Sequence, residues 1–470
     1  MRLSRRARGF ALVAVLFMLA ACGQKPGVHE TASGITAGQP GAGPGLGGST
    51  DDTTTPGEGG GTTDGDTGGG GGTTDGGDTD GGGGGPAPVA PSGPGDSTGV
   101  TDKEITIGIH APVTGAAPFP ADAFALGRDI YWTWKGAPKI GGRTVKVLFE
   151  NDDYNPTTAR DRCRKMAEQQ KAFLLVGGGG TDQIQSCAQY AQSGGIPYLS
   201  AGVTEIGVNT LPNYFAVSMS YKQQGELLWQ MIEKDSRLKP NQAKVAMVRT
   251  DTPNFDDAHQ AFLAAANKRG KKLVLDRTMP KNPSQTDYNG MAQALNGADA
   301  QIVYILTAPT HYVQLTARLL PSYRPWWIGA GITKGLNAVL ETGCGTSNNA
   351  IDKGIFLSPF PGIDKIDALD PNYKKAYRER NPGEEPDDLG IALWGLNKTL
   401  HQMFNAAAKN LTRQNFIATV QSGSFKTNVF PALKYTPTNH FGANQVHVLK
   451  ANCSKEPPQY VTEKTFVSKF

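Results

Sequence analysis

The run Gly177-Gly-Gly-Gly-Thr181-Asp182 follows a short apolar stretch and opens a helical pattern. Backbone N–H groups at a helix start have no intrahelical partner and carry partial positive charge, so such a turn suits a carboxylate. Glycine lets the backbone approach a ligand closely, and Thr181 adds a hydroxyl. No Gly-Lys-Ser/Thr follows, so this is not a nucleotide phosphate loop. The chain has no Gly-x-Ser-x-Gly and no His-Glu-x-x-His, and its seven histidines are scattered without metal-ligand spacing. The sequence therefore points to a binder and not to an enzyme, with no cofactor expected.

The amino terminus sets the compartment. Arg2, Arg5, Arg6 and Arg8 precede an apolar run, Phe10 to Ala21, that is too short for a stable bilayer span. It ends in Leu19-Ala20-Ala21-Cys22, which resembles the bacterial lipobox and implies acylation of Cys22 after removal of residues 1–21. Residues 22–100 then read as the lipidated cysteine and a disordered linker. Nearly half of the 60 glycines fall here, with Thr, Asp, Pro and Ser as the main company. Such a segment has too little apolar surface to offset its ordering entropy. As a flexible coil it would span on the order of 50 Å.

Charge sorts by segment. The whole chain carries +4, the leader holds four arginines, and residues 23–100 hold ten acidic residues and Lys25. The remaining part is thus strongly positive, which suits anionic solutes or merely repels a basic partner, and no basic cluster supports a nucleic-acid partner. Four cysteines remain in it: Cys163, Cys187, Cys344 and Cys453. An even count in an exported protein suggests disulfides, and three pairings are possible.

About 370 residues, Thr101 to Phe470, are long enough for two domains. Short β-rich runs alternate with amphipathic helical stretches. The strands are expected at Ile105–Ile109, Val145–Phe149, Phe173–Val176, Tyr198–Ser200, Lys244–Val248, Lys272–Leu275, Gln301–Leu306, Trp326–Ile328 and Gly354–Leu357. Asn155-Pro156 reads as an N-cap and first helical residue, and Leu389 to Lys409 as the longest helix. Continuous apolar strands between helices suit parallel sheets buried on both faces. The fold class is therefore α/β, with two doubly wound lobes whose ligands bind beyond the carboxyl ends of the strands.

The order of these pieces resembles the leucine/isoleucine/valine-binding protein family, with the type I periplasmic-binding fold. The stretches that carry the resemblance are Ile105 to Gly115, Gly141 to Val147, Asp152-Asp153 with Pro156, Gly195 to Ser200 and Lys244 to Val248. It implies a two-lobed clamp with three chain crossings, placed near Val217, Leu357 and Phe430. Lobe one is then 101–217 plus 357–430, and lobe two is 218–356 plus 431–470. This assignment implies the disulfides Cys163–Cys187 in lobe one and Cys344–Cys453 in lobe two.

The resemblance also implies ligand contacts. Thr181, next to Asp182, matches a hydroxyl that binds the ligand carboxylate. Gly202 and Thr204 match a second ligand loop, and Thr114 lies at the cleft mouth with Phe119. Phe255 stands where a tyrosine often packs on the ligand, and Ala308 lies in a loop that often carries another. Amino-acid binders of the family hold an acidic side chain in the loop that here reads Gly329-Ala-Gly-Ile-Thr333, so Gly331 and Ala330 stand where an ammonium partner is expected. Asp251, Asp256 or water would have to replace it, or else an aromatic or amide-like solute would suit Phe255 and Trp326 or Trp327.

The function implied is a lipoprotein on the extracytoplasmic face of the membrane, anchored through Cys22. It would deliver a branched-chain amino acid or related carboxylate or amide to the permease and ATPases of an ABC importer. A sensor presenting solute to a signalling receptor would use the same clamp.

Overall fold

A computed structural model describes residues 93, 95–201, 203–238, 243–346 and 349–470, all within one compact unit, Gly82–Phe470. The leader, Cys22, the linker through residue 92, and Gly202 lie outside the described residues. The sequence reading extends the linker to Val100, but its last residues are pinned to the folded part. The buried Arg413 holds Asp96 Oδ2 at 2.9 Å, and the Thr106 amide donates to Gly99 O at 2.8 Å. Among the described residues no helix is long and apolar enough to cross a membrane.

Lobe one is built on β1 (Glu104–Ala111), β2 (Thr144–Asn151), β3 (Leu174–Gly177), β4 (Tyr198–Ser200) and β5 (Tyr214–Ala216). They form one parallel sheet in the order β2-β1-β3-β4-β5. Ile105, Ile107 and Ile109 of β1 and the whole of β3 are buried, as strands covered on both faces must be. After β2, the Asn155 side chain accepts from the Thr157 and Thr158 amides and starts α1 (Pro156–Arg164). After β3 comes α2 (Thr181–Ser193). The Cys163–Cys187 disulfide ties these two helices together.

Lobe two begins with α3 (Tyr221–Lys234), started by a reciprocal Ser220–Gln223 cap. Its sheet takes β6 (Val245–Thr250), β7 (Leu275–Met279), β8 (Ile302–Leu306), β9 (Trp326–Ala330) and β10 (Gly354–Ser358). These five run parallel in the order β10-β9-β8-β6-β7, the topology of lobe one repeated. A small pair, β11 (Ser424–Phe425) and β12 (Leu433–Lys434), follows in sequence. Then β13 (Val446–Asn452) and β14 (Gln459–Val467) add to the β10 edge as antiparallel strands. Between β6 and β9 lie α4 (Asp256–Lys268) and α5 (Pro309–Thr316), and α6 (Asp388–Ala407) packs on lobe one. The Cys344–Cys453 disulfide closes lobe two, so both implied pairings are present.

The chain leaves lobe one between Ala216 and Tyr221, but the second and third crossings fall later than the sequence reading puts them. Leu357 lies inside lobe two's sheet, opposite Ala330 and Val448. The third return comes after Phe441, which bridges to Ala216 of lobe one. β7 also begins at the residue where the expected strand Lys272–Leu275 ends. It is an edge strand with exposed Asp276 and Arg277, so its sequence need not be apolar.

Candidate functional site

The loops that leave the carboxyl ends of both sheets enclose one cavity of about 500 Å³. Every strand from β1 to β10 sends residues to it. Phe119, Tyr154, Thr181 and Val203 follow β1 to β4, and Ser218 and Met219 follow β5. Phe255, Lys281, His311, Gly331 and Phe360 follow β6 to β10. This is where doubly wound sheets place ligands.

On lobe one the focus is the start of α2. Gly180 caps the helix at φ 80°, a conformation that disfavours side chains. A Cβ on Gly179 would come within 2.5 Å of the Phe119 ring, so the bare backbone lets this aromatic close over the turn. The first helical bond runs from the Ile184 amide to Gly180 O, which leaves earlier amides without helical partners. Thr181 Oγ1 is buried and makes no hydrogen bond of ordinary geometry, although the Tyr221 phenol stands beside it. A buried hydroxyl and partnerless amides at a helix N-terminus, in the lining of a cavity, are the chemistry of an anion site.

A buried network shapes the neighbouring loop. His110 Nδ1 meets Asp152 Oδ2 at 2.8 Å and its Nε2 meets the Tyr198 hydroxyl at 2.7 Å. The other Asp152 oxygen accepts from the Tyr154 amide at 3.0 Å. Asp153 and Tyr154 adopt left-handed backbone angles, φ 54° and 55°, and Tyr154 faces the cavity. Burial, and then the Asp182 and Asp152 carboxylates, push its phenol up to about 12.

Lobe two supplies apolar and neutral polar walls. Phe255 is buried and meets Tyr221 edge-on at 5.9 Å. Ala308 caps α5, and Gly331 lines the cavity with no room for a side chain, because a Cβ there would sit 2.9 Å from Leu357 O. His311 Nδ1 and Gln224 Oε1 are buried with no hydrogen-bond partner. Burial drives the His311 imidazole down to about 4, so it is neutral at physiological pH.

Among the described residues lining the cavity the only carboxylates are Asp153 and Asp182, and both are engaged. Asp153 accepts from Thr114 and from Asn151 Nδ2. Asp182 accepts from Lys281 and from Asn254 Nδ2, both on lobe two, so it joins the lobes. A second link lies beside the cavity. The buried Lys334 reaches Asp388 Oδ2 at 3.4 Å and stacks over Phe360 and Tyr460, and burial depresses its ammonium pKa against the pull of Asp388.

Of the residues singled out from sequence, Thr181, Asp182, Phe255, Ala308 and Gly331 line this one cavity. Thr114 stays on the rim, bound to Asp153 and Asn151. Thr204 is fully buried and its hydroxyl donates to Asp257 Oδ2 at 3.0 Å, a contact between the lobes. Asp256 pairs with Arg249, Asp251 is exposed, and Trp326 and Trp327 lie away from the cavity. Tyr154, Tyr221, Gln224, Lys281 and His311 join the site without having been singled out from sequence. Tyr154 is signalled only as the residue after the Asp152-Asp153 pair at a strand end; Lys281 has no local signal.

Residues 104–456 match the periplasmic binding protein family, and the chain belongs to that family of non-catalytic binders. A curated relative, the "Amino acid binding protein" of Pseudomonas aeruginosa (strain PAO1), is 23% identical over 204 residues, 43% of this chain and 53% of the relative. The chain thus spans about half the length of that relative. A solute-binding protein of an ABC transporter from Rhodopseudomonas palustris BisB5, solved with 3,4-dihydroxybenzoic acid, superposes with a TM-score of 0.65 at 15% identity. That match covers 78% of this chain and 98% of the other. A branched-chain amino acid binding protein from Streptococcus pneumoniae, solved with isoleucine, gives 0.62 at 16% identity over 77% and 100%. These likenesses establish the fold.

Proposed function

We propose that this chain is an extracytoplasmic solute-binding lipoprotein that captures a small organic carboxylate between its lobes and delivers it to an ABC importer. The observation that carries the reading is Thr181. It sets a buried hydroxyl, with the Tyr221 phenol beside it, on the first residue of α2, among helix-start amides that lack helical partners, in the lining of a cavity fed by both sheets. Phe119, Tyr154, Tyr221, Phe255 and Phe360 supply an apolar and aromatic body for the guest. The two disulfides favour an oxidising compartment, and the lipobox-like Leu19-Ala20-Ala21-Cys22 favours membrane anchoring.

Within its family the chain reads better as a binder of aromatic or apolar acids than of branched-chain amino acids. An α-ammonium needs a carboxylate when buried, and leaving it unpaired costs several kcal/mol. Both cavity carboxylates are already engaged, and Gly331 has no space for a third. Solved structures of similar fold hold 3,4-dihydroxybenzoic acid and 4-hydroxybenzoate, which have no ammonium.

The test is calorimetric titration of the delipidated chain with benzoate-type acids, aliphatic acids and leucine. A carboxylate is expected to bind, and Thr181→Val to weaken it by about 1–2 kcal/mol, the scale of a hydrogen bond to a charged group. Tighter binding of leucine than of any simple acid, or an unchanged Thr181→Val variant, refutes the assignment.

A further inference from the structure

Two residues that line the cavity each hold a buried polar atom without a hydrogen-bond partner. Gln224 sits one turn into α3, and its Nε2 donates to Met219 O at 3.1 Å, which fixes the amide so that Oε1 is left to accept. Gln224 is 4% exposed and His311, at the start of α5, is 5% exposed. His311 Nδ1 likewise has no hydrogen bond. Buried polar atoms in native proteins almost always find partners, so unpaired ones lining a cavity mark groups that a guest must satisfy. Gln224 Oε1 requires a donor, and a neutral imidazole nitrogen accepts or donates according to tautomer. A hydroxyl can serve both. An ammonium could donate to them, but its charge would stay uncompensated, because Asp182 is taken by Lys281 and Asn254 and Asp153 by Thr114 and Asn151.

We infer that Gln224 and His311 form a neutral subsite that selects a solute with an uncharged hydrogen-bonding group, a hydroxyl above all, and rejects one with an ammonium in that place. This rests on the reading of the cavity as the solute site, and it deepens that reading from a carboxylate to a hydroxylated one.

The experiment uses matched probes on the delipidated chain: benzoate, 3- and 4-hydroxybenzoate, 3,4-dihydroxybenzoate, 4-(aminomethyl)benzoate, and the alcohols benzyl alcohol and 4-hydroxybenzyl alcohol. At least one hydroxybenzoate should bind about tenfold or more tighter than benzoate. The aminomethyl acid should bind no tighter than benzoate. In Gln224→Met and His311→Phe the ratio of hydroxybenzoate to benzoate affinity should shrink to under about threefold, and circular dichroism with thermal unfolding shows that the variants are folded. Equal binding of benzoate and every hydroxybenzoate, preference for the ammonium, or an advantage that survives both substitutions overturns the inference. If the hydroxylated alcohol outbinds benzyl alcohol while the acids gain nothing over alcohols, the carboxylate assignment falls and the subsite stands. If no probe binds, both fall.

Discussion

Asp182 and Lys281 meet across the cleft. The carboxylate sits at the second residue of α2 on lobe one, the ammonium just beyond β7 on lobe two, and Asn254 donates to the same carboxylate at 2.5 Å. This link between the lobes and the proposed site of anion capture therefore share one short stretch of helix, Thr181-Asp182. Lys281 is half exposed, so its ion pair is screened and contributes under about 1 kcal/mol. Lys281→Met is expected to speed solute release about two- to fivefold at low ionic strength, and stopped-flow release in high salt should erase the difference. Asp182→Ala removes both cross-cleft bonds and should open the ligand-free molecule, read as a larger radius of gyration by X-ray scattering. No change in either measurement would remove this contact from the closure mechanism.

Thr204 should act through the fold. Its hydroxyl and the Glu205 amide both donate to Asp257 Oδ2, at 3.0 and 2.9 Å, and burial raises the Asp257 pKa against those donors. Thr204→Ala is expected to cost about 1–2 kcal/mol in urea unfolding, with solute affinity changed less than about threefold. A large loss of affinity at unchanged stability would place Thr204 in the solute site after all.

Asp387 gives a pH signature. Its carboxyl, enclosed by the Gly390 amide and the Tyr377 hydroxyl, is raised by burial from 3.8 to about 7. A raised carboxyl binds its proton more tightly in the folded state. Its stabilisation is fully present below about pH 4 and is lost as pH rises to 7. Asp387→Asn should flatten the stability profile over that window, and the gap between variant and wild type should grow toward neutrality by about 2–4 kcal/mol. Unfolding midpoints at pH 5 and pH 7.5 that move in parallel for both proteins would contradict it.

The two disulfides differ in reach and access. Cys344–Cys453 spans 109 residues and is partly exposed, whereas Cys163–Cys187 spans 24 and is fully buried. Loop-closure entropy gives the longer bridge about 1 kcal/mol more stabilisation. Mild reduction should open Cys344–Cys453 first, and Cys453→Ser should lower the melting temperature more than Cys163→Ser, apart from any packing loss at the buried site. Mass spectrometry of alkylated peptides follows the first and calorimetry the second.

Cys22→Ser should abolish acylation, stop processing at the leader and remove label from fatty-acid feeding. Detergent-phase partition of the expressed protein reads the outcome, since two or more acyl chains anchor stably where one does not. Partition of the processed wild-type protein into detergent no greater than that of a chain expressed from Gly23 would exclude a lipid anchor.

The parallel sheets were legible because their strands are buried on both faces and must be apolar throughout, as in Ile302–Leu306. The α2 turn was legible because four glycines before Thr181 have few other uses. β14 was not, since this edge strand carries exposed charge, as at Glu463 and Lys464, and β13, though buried between β10 and β14, follows a long stretch with no regular alternation of strand and helix. Lys281 and His311 reach the cavity only through tertiary placement, which no local pattern announces. Thr204 looked like a ligand hydroxyl because hydroxyls at strand ends suit both ligands and interlobe ties, and the partner, Asp257, is 53 residues away.

The addition of β13 and β14 to β10 has a consequence for synthesis. A ribosome delivers all five strands of the first sheet by residue 216, but the second sheet waits for the last residues of the described chain. A nascent chain released before Val446 carries a finished first half beside a naked β10, whose unpaired amides and carbonyls would recruit other strands. The second lobe is therefore the half of the folded unit that stays open to wrong pairing longest during synthesis.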